Sequence, residues 1–67
     1  MTDDELKTMK KEVAGKKRIA MDFASQVHDL VEDRLLTDYK ELVALAERTV
    51  AACEEWAVAD SEYRSVT

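Results

Sequence analysis

Apolar residues return in alternating steps of three and four along nearly the whole chain, and no proline interrupts them. From Leu6 the run passes through Met9, Val13, Ala20, Phe23, Val27 and Leu30, with the polar Lys16 filling the one remaining place in the series. Steps of three and four keep successive residues on one face of an α-helix, whereas a half-buried strand needs strict alternation. The single glycine, Gly15, is the one poor helix former of its class in 67 residues. The pattern therefore confines the chain to an all-α fold.

Two helices are predicted. Thr2 followed by Asp3, Asp4 and Glu5 is a start signal, because a threonine hydroxyl caps free amides and acids offset the positive end of the helix dipole. Helix one is predicted over residues 3–34, a loop over 35–37 and helix two over 38–64, all within one domain, 1–67. Thr37 is the expected N-cap of helix two and Asp38 its first-turn acid. The stripe of helix two reads Tyr39, Leu42, Ala46, Thr49, Cys53, Trp56, Asp60 and Tyr63. A connection this short folds the helices back on each other as an antiparallel hairpin.

Helix two is apolar over more than one stripe, with Val43, Val50 and Ala57 on one flank and Leu45, Ala52 and Ala59 on the other. A helix with a single neighbour needs about 100° of apolar surface, so this one calls for two. A chain of this size buries about 60% of its unfolded surface, which is marginal without staples. Both arguments predict a second hairpin, giving a four-helix bundle as a homodimer, or a partner protein that supplies the missing face. Gly15 and Lys16 fall opposite Trp56 when the helices are paired about Thr37. The expectation is that glycine makes room for the indole while the lysine stem lies across it, with a cation–π contact; the alternative is a weak spot that opens toward a partner.

The net charge of −5 argues against general nucleic-acid or anionic-membrane binding. Its distribution is uneven. Lys7, Lys10, Lys11, Lys16, Lys17 and Arg18 face Glu12 alone between residues 7 and 18, and the rest of the chain is acidic. Lys10 and Lys17 lie along one edge of helix one with Lys11 and Arg18 beside them, and Lys10, Lys17, Arg18 and Trp56 are the candidate partner-binding residues. An RNA-binding bundle is the weaker reading of that edge, because specific RNA readers add exposed aromatics and none is evident there.

His28 and Glu32, four residues apart, share a helix face, as do Asp29 and Asp33. That spacing suits iron or another divalent metal, but two ligands from one helix make half a site. The competing reading is a solvated acidic face. Cys53 occupies an expected core position and reads as an inert thiol. No glycine-rich phosphate loop, no nucleophile beside a base and no deep pocket is foreseen, so the expectation is a non-enzyme that requires no cofactor. A lone cysteine and the lack of an apolar N-terminal run point to a cytoplasmic location away from membranes.

The segments Ala20-Met21-Asp22, His28-Asp29-Leu30-Val31-Glu32-Asp33, Thr37-Asp38-Tyr39 and Leu45-Ala46-Glu47-Arg48-Thr49 resemble a family of short Rop-like proteins from nitrogen-fixation gene clusters. The likeness runs from about Asp4 to Trp56. It implies a helical hairpin that assembles as a bundle and a role beside nitrogenase. The implied partner is the molybdenum–iron protein or the cofactor-maturation machinery. It also implies a metal site around His28, Asp29, Glu32 and Asp33, which would make iron binding or delivery the alternative function.

Overall fold

A computed structural model describes residues 2–67. The chain forms α1 (Asp3–Asp33), a one-turn α2 (Leu35–Asp38) and α3 (Glu41–Ser65), and the two long helices pack against each other as a hairpin. The described residues contain no strand. The result is a rod of 51 × 15 × 11 Å.

Helix α1 starts where its caps dictate. Thr2 has extended backbone and its hydroxyl accepts a hydrogen bond from the Glu5 amide at 3.2 Å, ahead of three consecutive acids in the first turn. It stops at Arg34, whose backbone (φ −132°, ψ 15°) leaves the helical region while its amide still donates to the Leu30 carbonyl.

The connection differs from the expected loop. Residues 35–37 belong to the turn of helix α2, held by the Asp38 amide donating to the Arg34 carbonyl at 2.8 Å. The Arg34 guanidinium also reaches Asp38 at 3.2 Å. Thr37 does not cap the second long helix; its hydroxyl donates back to the Arg34 carbonyl. That helix begins at Glu41, with Lys40 as an N-cap that makes no side-chain cap bond. The reversal uses no residue at positive φ. A chain without glycine or proline at this point leaves helical backbone at Arg34, whereas Tyr39 and Lys40 keep right-handed dihedrals and the Leu42 amide donates to the Tyr39 carbonyl at 3.1 Å.

The seam of α1 is the predicted one: Ala20 and Leu30 are buried, and Leu6, Met9, Val13, Lys16, Phe23 and Val27 are half-buried. The seam of α3 is rotated from the predicted stripe. Leu45 and Ala52 are buried and Leu42, Thr49, Trp56, Ala59 and Tyr63 half-buried, whereas Tyr39, Ala46 and Cys53 are exposed. Both stripes keep heptad spacing, and burial decides between them. Turning Leu45, Ala52 and Ala59 inward removes more carbon from water than Ala46 and Cys53 would, and it keeps the Asp60 carboxylate at the margin, paired with Arg64 at 2.8 Å.

Gly15 corrects a second expectation. A methyl group added there would meet nothing within 4 Å, so the glycine does not clear space for Trp56. The Lys16 ammonium is drawn to Glu55, 3.6 Å away across the seam. That contact joins the two long helices across the seam, and nearer the connection Leu30 of α1 and Leu45 of α3 line one groove.

Candidate functional site

The two sides of the hairpin differ in chemistry. On one side, the flanks of both seams carry charge. A groove near the connection is lined by Gln26, Asp29, Arg34, Glu41 and Arg48, and a second, farther along, by Glu12, Lys16, Glu54, Glu55 and Glu62. Both are open channels along the seam with carboxylates on their rims, and the Lys16–Glu55 pair bridges the second.

The other side is apolar. Val43 and Val50 are 66% and 56% exposed on α3, and Ala46, Cys53 and Ala57 continue their row. A shallow groove over Leu42, Val43, Ala46 and Val50 presents mainly carbon, with Glu47 and Glu54 also lining it. Met21, Ala24 and Val31 supply exposed apolar surface on α1, and Leu36, at the turn, is 90% exposed. An isolated exposed valine needs no explanation, but a continuous apolar row on a chain of 67 residues marks a contact surface.

Lys10, Lys17 and Arg18 are exposed, and Lys10 and Lys17, seven residues apart, lie on one edge of α1. No ion pair of the described residues uses any of the three. Trp56, grouped with them on sequence grounds, is half-buried in the seam. Its side chain is therefore part of the hairpin seam and only partly open to a partner.

The residues around His28 converge in part. Nε2 of His28 lies 3.3 Å from a Glu32 carboxylate oxygen, and Nδ1 lies 3.8 Å from Asp29. All three side chains are more than 60% exposed, and Asp33 stands apart from them at the helix end. Among the described residues, no group of three or more His, Cys, Asp or Glu side chains is arranged to hold a metal ion. The imidazole and its two neighbouring carboxylates, Glu32 and Asp29, all come from one exposed stretch of α1, with no donor from α3 beside them among the described residues.

Cys53, foreseen as a core thiol, is exposed on the apolar side. The sequence carried a signal for this. A stripe through Cys53 runs next into Asp60, while the stripe one position earlier runs through Ala52 into Ala59. No helix of the described residues is long and apolar enough to cross a membrane.

A hairpin of two long helices joined by a tight turn, with a heptad seam and an apolar side left uncovered, is the arrangement of half a four-helix bundle. A family profile described as Rop-like matches residues 4–67. The chain belongs to the Rop-like family. The match takes in both long helices of this Rop-like hairpin and the turn between them. Comparison with curated proteins and with solved structures gives no match.

Proposed function

We propose that this Rop-like hairpin is a non-enzymatic docking factor that binds a nitrogenase component, the molybdenum–iron protein, and holds or protects it in an inactive or cofactor-altered state. The observation that carries the docking part is the basic edge of α1. Lys10, Lys17 and Arg18 stand exposed, without an ion-pair partner among the described residues, on a chain whose net charge is −5. A local basic strip on an acidic molecule steers toward an acidic protein surface while the overall field disfavours nucleic acid. The choice of nitrogenase as the partner rests on the sequence resemblance. The grooves beside the seam are open to solvent and lined by mixed charges, which suits a surface that is itself recognised.

The test is direct binding of the full chain to purified molybdenum–iron protein, by interferometry at two salt concentrations. Measurable affinity that falls with salt, and falls by about tenfold in the Lys10→Glu, Lys17→Glu double variant, is the expected result. No binding to any state of the enzyme, or binding unchanged in the variant, would overturn the proposal. Metal analysis of the same purified protein addresses iron delivery: stoichiometric iron that disappears in His28→Ala would replace the docking reading with that one.

A further inference from the structure

The charged side of the hairpin has an apolar floor. On α3, Ala44 lines the groove near the connection, and Ala51 and Val58 line the one farther along. Spaced by seven, these residues form one row on the helix. On α1, Gln26 lines the first groove and Glu12 the second, and Ile19 stands seven residues from each, between them on the same row. Ile19 is 48% exposed and Val58 is 59% exposed. Two branched aliphatic side chains therefore meet water on the side of the molecule whose rims are charged.

The rims of the farther groove are acidic. Glu12 from α1 and Glu54, Glu55 and Glu62 from α3 surround Ala51 and Val58, and Lys16, the cation among them, is drawn to Glu55. Glu12, Glu54 and Glu62 take part in no ion pair among the described residues. Between Arg48 and Arg64 the sequence of α3 holds no lysine or arginine, so none of its three carboxylates here has a cation three or four residues away. Charges of one sign gathered around exposed carbon repel one another, and cations brought from outside relieve that repulsion.

We propose that this side takes an amphipathic helix of a partner protein, with its apolar row laid on Ile19, Ala51 and Val58 and its flanking lysines or arginines paired with Glu12, Glu54 and Glu62. The alanines let a third helix come close, and the row from Ala44 to Val58 spans about 21 Å, or about four helical turns. The surface is separate from the basic edge of α1. Lys10 and Lys17 share a row with Ala24 and Val31, on the other flank of that helix from Glu12 and Ile19. The edge attracts acids and the groove attracts bases, so the proposal holds whatever the edge binds. A second copy that offered its own basic edge would join two unlike surfaces, a heterologous contact that builds rings or filaments instead of a closed pair. The occupant is therefore a different chain.

The probe is a fluorescent synthetic helix of about 18 residues, with alanine and leucine on one face and lysines along both edges of that face. Anisotropy with the full chain is expected to show binding that weakens with salt, and a scrambled peptide of the same composition should bind about tenfold more weakly or worse. Amide shifts in the complex should centre on Ile19, Ala51 and Val58. Glu54→Lys with Glu62→Lys should lower affinity by about tenfold or more, and a peptide carrying glutamates in place of the lysines should bind that variant instead. Glu32→Lys with Asp33→Lys, an equal change of charge at the connection end of α1, should keep affinity within about threefold. Circular dichroism checks that each variant keeps its helices. Equal binding of the scrambled peptide, shifts centred on Val43 and Val50, or affinity unchanged by Glu54→Lys with Glu62→Lys would overturn the proposal. Dissociation of a self-assembled chain by that same variant, read by sedimentation equilibrium, would also overturn it, because the groove would then belong to a second copy.

Discussion

Leu30 is the side chain most deeply buried in the seam, 1% exposed near the end of α1. Replacing it with alanine removes about three carbons, worth roughly 2.4 kcal/mol at about 0.8 kcal/mol each. A residual cavity of about 30 Å³ would add roughly 0.7 kcal/mol, for a total near 3 kcal/mol. For a domain below about 80 residues, whose core supplies only about 3–5 kcal/mol, that is most of the stability. Thermal and urea unfolding followed at the helical circular dichroism band, at one fixed protomer concentration, should show Tm lowered by about 12–24 °C. Val58→Ala is the control, because Val58 is 59% exposed on the charged side, and it should change stability by no more than about 0.5 kcal/mol. A Leu30→Ala loss below about 1 kcal/mol would refute the seam as the source of the hairpin's stability.

Three further outcomes are expected from the same assay. Gly15→Ala should stabilise the chain by about 1 kcal/mol, since the new methyl meets nothing and a flexible residue leaves the helix interior; destabilisation would show that the indole does need that space. Lys16→Met should be neutral or stabilising by up to about 1 kcal/mol, because the Glu55 pair at 3.6 Å is partly solvated and weak. A loss above about 1 kcal/mol would restore the cation–π contact with Trp56 as its main role. Thr2→Ala should cost about 0.5–1 kcal/mol and speed amide exchange in the first turn of α1; unchanged exchange would mean that the 3.2 Å cap bond does not hold that end.

The sequence made α1 legible because its apolar seam repeats regularly over about seven turns between acids and lysines, although Ile19, Met21 and Val31 stay exposed beside it. The candidate docking edge was equally plain, since lysines seven residues apart on a helix share a face whatever that helix packs against. Trp56 was harder to place. Its spacing fits both a seam residue and a contact residue, and the fold puts it half inside. The metal-like spacing of His28 and Glu32 was also legible, but spacing along one helix does not bring further donors, and none converges from α3.

The sequence by itself determined two helices, their antiparallel return and the polarity of α1, because periodicity, missing helix breakers and the N-terminal cap are properties of neighbouring residues. The tertiary structure alone decided which stripe of α3 lies inside. Two heptad rows, one through Leu45 and Ala52 and one through Ala46 and Cys53, are each compatible with a helix. They differ in what they bury against α1, and the row with the larger apolar area and no carboxylate takes the seam. The turn was likewise decided in three dimensions. Leu35-Leu36-Thr37 can continue a helix, so the chain stays helical there and departs from helical backbone at Arg34 instead.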